Sequence, residues 1–264
     1  MNIISLSYTD LLLGSLLIVL LSVFSFLGNL KMEKQIIISA LRTTIQLLSI
    51  GYILKFVFTL NSPIIILLIS LVMLFVGARE INARQKKKMK GYRYFFISSF
   101  SMFISSFLLT ILTLYFILET NPWYEARYAI PLLGMLLGNT MTGIALSLNY
   151  LIDTTIKSKQ TIEQRLLLGQ NKTEVLLEIR KDAIRNGMIP TINSMATAGL
   201  VSLPGMMTGQ ILAENPPVTA VMYQIRIMFL ICAGTGFGVF ITVLWVSDSF
   251  FDTRLRLKLN QFGK

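Results

Sequence analysis

Residues 161–214 read TIEQRLLLGQNKTEVLLEIRKDAIRNGMIPTINSMATAGLVSLPGMMTGQILAE. The first half is charged and amphipathic. Ile162 and Leu166 fall on one helical face, as do Leu176, Ile179 and Ala183 after the turn at Gly169-Gln170-Asn171. Glu174, Glu178, Arg180, Lys181, Asp182 and Arg185 cover the other faces. This pattern predicts a helix–turn–helix lying at a membrane surface, with Thr173 capping its second helix. The second half, 188–213, is apolar and of membrane-crossing length, but Leu203-Pro204-Gly205-Met206-Met207 interrupts it. Proline removes a backbone donor and crowds the preceding turn, so this helix is expected to kink or split.

Outward from that stretch the chain is dominated by apolar runs. Hydrophobic residues make up 54% of the 264, charged residues 14%, and the mean hydropathy is +0.67. A helix needs about 20 apolar residues to cross a bilayer. Seven segments approach that length: roughly 8–28, 36–58, a short third at 63–78, 95–118, 129–152, 188–213 and 218–246. The fold class is therefore all-α and polytopic, a single transmembrane domain over residues 1–264 with a polar loop at about 157–187. Lys and Arg are distributed unevenly between alternate loops. Lys31 and Lys34 precede the second segment, seven basic residues lie in 79–93, seven in 153–187, and four follow the last segment. The opposite loops hold only Lys55 and Arg127, while Arg42 and Arg226 fall within helices. The positive-inside rule then places the N-terminus outside and the C-terminus in the cytoplasm. The net charge of +11 is mostly this topology signal. The basic run Arg84–Arg93 is read as an inside-facing anchor, not a nucleic-acid surface. The first 30 residues lack a basic leader and a small-residue cleavage site, which predicts a retained helix.

Several chemistries lack their residues. There is no histidine, hence no common general base, haem ligand or histidine proton relay. No Gly-x4-Gly-Lys-[Ser/Thr] phosphate loop is present, so the chain itself has no usual means of hydrolysing ATP. Gly234, Gly236 and Gly238 imitate a dinucleotide fingerprint inside an apolar helix, where close packing accounts for them. Cys232 is the one cysteine and forms no disulfide framework. The acidic residues avoid the middle of the apolar segments, unlike the mid-membrane carboxylates common in proton-coupled carriers.

Candidate substrate-path residues cluster at the broken segment. A split helix leaves backbone groups free at mid-membrane, where they can bind substrate. Pro204 would make the split. Met206 and Met207 suit soft contacts or repacking, and plain packing is their bland alternative. Hard ions prefer oxygen ligands, which Asn139, Asn193, Thr197 and Gln210 offer; Glu214 sits near the outer end. The sequence assigns no metal-ligand set. Arg42 and Gln46 lie one turn apart in the second segment, and Arg42 either snorkels to headgroups or faces the helix bundle. Arg226, with Gln224 nearby, is placed similarly in the last segment. Gly134-x3-Gly138 and Gly205-x3-Gly209 resemble close-packing surfaces between helices or protomers.

Glu163-x5-Gly169, with Ile179 ten residues on, resembles the coupling loop of ABC transporter permeases, although Lys181-Asp182 stands where importers carry Leu-Pro. Ala40-Leu41-Arg42-Thr43-Thr44-Ile45-Gln46-Leu47, Gly51-Tyr52-Ile53-Leu54-Lys55, Ile130-Pro131-x2-Gly134-Met135-x2-Gly138-Asn139, Ile189-Pro190-Thr191 and Gly199-Leu200-Val201-Ser202-Leu203-Pro204-Gly205-Met206-Met207-Thr208-Gly209 resemble the FetB-type iron-export permeases, a family with plant relatives linked to aluminium tolerance. The resemblance spans nearly the whole chain. It implies a plasma-membrane permease that forms a homodimer and works with a separate ABC ATPase subunit, which holds the ATP and magnesium. Glu163, Arg165, Leu166, Gly169 and Ile179 would form the ATPase-coupling surface. The substrate it implies is iron or another metal. An organic anion or nucleotide sugar is the alternative, as is an ATP-independent carrier. A membrane-embedded enzyme finds no nucleophile–base pair.

Overall fold

The computed structural model describes residues 8–60, 62–85, 87, 92–117, 122, 124–252, 254 and 256–258. Of the basic residues assigned to loops, Lys86, Lys88, Lys90 and Lys264 lie outside that set. The described residues are helical, with isolated bridges and no strand among them. The chain divides into two compact units, one up to Asn61 and one from Ser62 onward.

In the first unit α1 (Tyr8–Leu27) and α2 (Glu33–Leu60) are joined by a five-residue connection in which Asn29 and Lys31 take positive φ. So short a link makes the helices antiparallel neighbours. Ser25 Oγ accepts the Met32 N–H, and Ser22 Oγ donates to the Glu33 carbonyl. Arg42 and Gln46 are exposed on α2, and Lys55, expected in a loop, lies within the same helix.

The second unit begins with α3 (Pro63–Ala83), which has proline in its first turn, where a missing N–H costs nothing. The expected short third span is corrected here: the helix runs through Arg79 and Glu80 because Ala78 and Ile81 are fully buried. Next come α4 (Tyr92–Met102), a π-helical turn (Phe103–Phe107), α5 (Leu108–Leu112) and a second π turn (Thr113–Ile117), forming one rod. Then follow α6 (Ala126–Lys157), α7 (Lys159–Leu167), α8 (Lys172–Thr197), α9 (Gly205–Leu212) and α10 (Pro217–Asp248). Arg127, assigned to a loop from sequence, opens α6. Beyond α10 the chain doubles back, with the Asp252 N–H donating to the Arg256 carbonyl and the Lys258 N–H to the Phe250 carbonyl.

Polarity is arranged for lipid. The outside of the helices is lined with large apolar side chains such as Leu67, Leu68, Phe75, Phe96, Phe229 and Phe240, all exposed. The inside holds small polar residues: Ser98, Ser101, Ser106, Thr140, Ser147, Thr235 and Thr242 are buried. Water would reverse that arrangement, whereas a bilayer favours it, because small residues let helix backbones approach and lipid tails accept the apolar exterior. Among the described residues five helices are long and apolar enough to cross: α2, α3, the Tyr94–Phe116 rod, α6 and α10. The protein is an all-α polytopic membrane protein.

At the centre α6, α8 and α10 pack against one another. A Cβ on Gly187 of α8 would stand 2.7 Å from the Gly143 carbonyl oxygen of α6, and one on Gly238 of α10 would stand 2.5 Å from Thr140 Cγ2. Those glycines, with Gly143, are the contact points of the three helices. Among the described residues a Cβ on Gly138, Gly205 or Gly209, expected to pack closely, would meet nothing within 4 Å, and one on Gly134 would meet only the tip of Met73.

The broken sixth segment is also corrected in detail. It is not one kinked helix from 188 to 213. α8 is continuous from the polar loop to Thr197, about 39 Å at 1.5 Å per residue, and α9 starts afresh at Gly205. Pro204 does not sit in a helix: it is the residue before α9, with φ −61° and ψ 144°. The turn is made earlier, at Gly199 (φ +84°), where the Thr197 carbonyl accepts the N–H groups of Leu200, Val201 and Ser202. Pro190, by contrast, stays inside α8 without ending it.

Candidate functional site

Two regions of the second unit have the form of a functional site. The first is the hairpin of α7 and α8. α7 ends in a left-handed turn at Gly169 (φ +88°), with the Gly169 N–H on the Leu166 carbonyl and the Gln170 N–H on the Arg165 carbonyl. α8 is capped by Asn171, not Thr173 as expected. The Asn171 carboxamide accepts the N–H of Thr173 and of Glu174, and Glu174 Oε2 accepts the Asn171 N–H in return. Arg165 ties the two helices, donating to Gln170 Oε1 at 2.6 Å and to the carbonyls of Val175 and Glu174 at 3.4 and 3.3 Å. The hairpin is thereby stiff as well as small.

Its rear face is anchored. Ile162, Val175 and Leu176 are buried in the main core, with Leu166 and Ile179 packed against it. Its tip is the opposite: Leu167 is 87% exposed and Leu168 83%. Glu163 is exposed, with its carboxylate 3.8 Å from Lys159 Nζ. Of the five residues singled out from sequence, Glu163 and Gly169 therefore face outward, whereas Arg165, Leu166 and Ile179 hold the hairpin together. Leu167 and Leu168 were missed. They directly follow Leu166 but lie off the buried stripe, and their exposure depends on the orientation of the turn at Gly169. Behind the hairpin, Arg180 is only 6% exposed and donates to Asp248 Oδ1 at 2.8 Å, with Lys172 Nζ 3.5 Å from the same oxygen. That pair fastens α8 to the end of α10.

The second region is a series of clefts around the break. One, about 350 Å³, is lined by Arg127, Tyr128, Met206, Gln210, Tyr223 and Arg226 among others, with the Arg226 guanidinium 5.9 Å from the Tyr223 ring centre. A smaller cleft of about 200 Å³ is lined by Met135, Asn139, Pro204, Met206, Gln224 and Met228. A third, about 440 Å³ and mostly apolar, is lined by Met195, Pro204, Met207, Gln224 and Met228. Gln224 is 7% exposed, and among the described residues neither its side-chain oxygen nor Gln210 Oε1 has a hydrogen-bond donor. Asn139 donates back to the Met135 carbonyl at 2.8 Å. Among the described residues no carboxylate lines any of the three clefts, and no group of three His, Cys, Asp or Glu could hold a metal.

The structure thus brings Asn139, Pro204, Met206, Met207 and Gln210 to the clefts. Asn193 is exposed and lies outside these linings; its carbonyl accepts the Thr197 hydroxyl. Arg42 and Gln46 belong to the first unit. Met135, Met195 and Met228 were missed, because only the tertiary fold brings α6, α8 and α10 to the break.

Residues 8–251 match the family described as Uncharacterised protein family (UPF0014). The chain belongs to the UPF0014 family. It is 33% identical over 264 residues to the probable iron export permease protein FetB of Escherichia coli, covering 100% of both chains. It is 37% identical over 230 residues to the UPF0014 membrane protein YjkA of Bacillus subtilis, covering 87% of this chain and 89% of that one. The Arabidopsis thaliana protein ALUMINUM SENSITIVE 3 is 32% identical over 254 residues, covering 95% of this chain and 90% of its own. No solved structure matches the chain. As a UPF0014 membrane protein, the chain carries its hairpin and clefts within the matched span.

Proposed function

We propose that this UPF0014 protein is the membrane-spanning permease subunit of an ABC transporter that exports iron or another metal, driven by ATP hydrolysed on a separate ATPase subunit. Two copies would form the path in the plasma membrane, with seven crossings per chain, the N-terminus outside and the hairpin in the cytoplasm. The observation that carries the reading is the hairpin: a stiff, doubly capped unit with its rear face in the core and two leucines held out at its tip. Bare leucines on a charged surface element are what a docking knob for another protein requires, because burying each on a partner contributes about 1.5–3 kcal/mol. The name of the FetB relative supports iron export.

Changing Leu167 and Leu168 together to Glu tests this. The chain should insert and purify as before, since neither side chain packs in the core, while co-purification of the ATPase falls at least about tenfold, the loss of roughly one leucine's burial. Unchanged co-purification would refute docking at the tip.

One observation favours a second reading of the substrate. The 350 Å³ cleft holds two arginines and two tyrosines without a lining acid, a set suited to an organic anion such as a nucleotide sugar. ATPase stimulation by candidate anions, set against stimulation by metals, separates the two substrates within the same assembly.

A further inference from the structure

We propose that the 200 Å³ cleft beside the break is a binding site for a soft, singly charged metal cation of the copper(I) class, held by the thioethers of Met135, Met206 and Met228 and the carboxamide oxygen of Gln224. Its role in transport rests on the metal reading above; binding itself does not. Three methionines from three different helices, α6, α9 and α10, line this one small space. Thioether sulfur is a weak, polarizable donor that selects soft ions, while hard ions prefer oxygen, above all carboxylate. The cleft has no carboxylate among its described lining residues.

Gln224 supplies the second observation. Its side-chain oxygen is buried without a donor among the described residues, a state that costs about 1–3 kcal/mol unless something else satisfies it. It lines both this cleft and its apolar neighbour, in which Met195 and Met207 stand as further sulfurs along the way.

Electrostatics limits the charge such an ion can carry. Ser194, near the carbonyl end of α8, and Gly205 and Met206, at the amide end of α9, line the same cleft. Each helix end carries about half a charge, of opposite signs, so the pair largely cancels. What remains is a neutral donor set. With only neutral donors in the lining, a trivalent ion finds no opposite charge to offset the hydration it gives up, whereas a singly charged soft ion loses least. The volume fits an ion with a few waters at about 30 Å³ each.

The test uses the purified full-length chain in detergent, with Cys232→Ser throughout so that the thiol is not counted. Silver(I), redox-stable and closed-shell like copper(I), is the probe, followed by equilibrium dialysis and X-ray absorption at the silver edge. The expected result is saturable binding of about one silver per chain with sulfur neighbours, unaffected by excess iron(III) citrate or aluminium(III). Met206→Leu with Met228→Leu, nearly volume-neutral changes, should weaken it about ten- to a hundredfold, on the scale seen when a metal site loses supporting groups. Gln224→Leu should weaken it too. Met222→Leu, at an exposed methionine, should not. Binding that survives the double change, that iron(III) displaces, or that never saturates would overturn the site. Silver binding without ATP-driven metal transport would keep the site and remove the transport reading; iron transport without silver binding would do the reverse.

Discussion

Asp248→Asn isolates the junction between the hairpin's second helix and the end of α10. Arg180 is almost wholly buried, its Nε has no partner among the described residues, and its guanidinium meets Asp248 Oδ1 at 2.8 Å. Removing one partner of a buried pair costs about 3–5 kcal/mol, and breaking an exposed pair about 0–1. This pair lies between, because the Asp248 side chain is 50% exposed. A carboxylate at the last residue of α10 also opposes the helix dipole, and its removal returns about 0.3–1 kcal/mol. The net loss expected is about 2 kcal/mol, or about 4–8 °C in melting midpoint for a chain of this size. Arg180→Met should lose less, since it keeps the buried stem and leaves Asp248 half-solvated beside Lys172. The double variant should melt no lower than Arg180→Met alone. Heating in one detergent followed by fluorescence-detected gel filtration measures all three. An Arg180→Met loss equal to that of Asp248→Asn, or losses that simply add, would refute the reasoning, because either would mean that the buried guanidinium does not depend on this carboxylate.

Other outcomes follow from the packing. Gly187→Ala drives a Cβ to within 2.7 Å of backbone oxygen and should destabilise by about 1–3 kcal/mol; Gly236→Ala, which meets only the end of Met188 at 3.5 Å, should be neutral in the same gel-filtration assay. Pro204→Ala should leave the break in place, since the chain turns at Gly199, and amide exchange across 198–204 should stay as fast as in the parent. New protection there would make proline the cause of the break.

The membrane fold was legible because hydropathy acts residue by residue, and the broken sixth segment because Pro204 marks it locally. The position of the break relative to Pro204 was not legible. It depends on the Thr197 carbonyl collecting three N–H groups, a backbone arrangement that residue types alone do not mark. The continuity of α8 was hidden for a related reason: Lys181, Asp182, Arg185 and Asn186 look like the end of a surface helix. Yet Arg180 is matched by Asp248, 68 residues away, and Ala183 and Gly187 pack inward. In the hairpin, periodicity located the buried stripe correctly and directed attention to Leu166 and Ile179, which anchor it. The exposed leucines beside the stripe were visible only once the turn at Gly169 had an orientation. At the clefts, Met206 and Met207 could be picked by their place at the break, whereas Met135, Met195 and Met228 join them through tertiary packing alone.

The most direct test is ATP-dependent accumulation of iron by inside-out vesicles from cells co-expressing this chain with the ATPase subunit proposed for it. An ATP-driven iron exporter predicts accumulation that disappears when the ATPase is inactivated and falls when Leu167 and Leu168 are changed to Glu. Accumulation that proceeds without ATP, or that ignores the inactive ATPase, would contradict it.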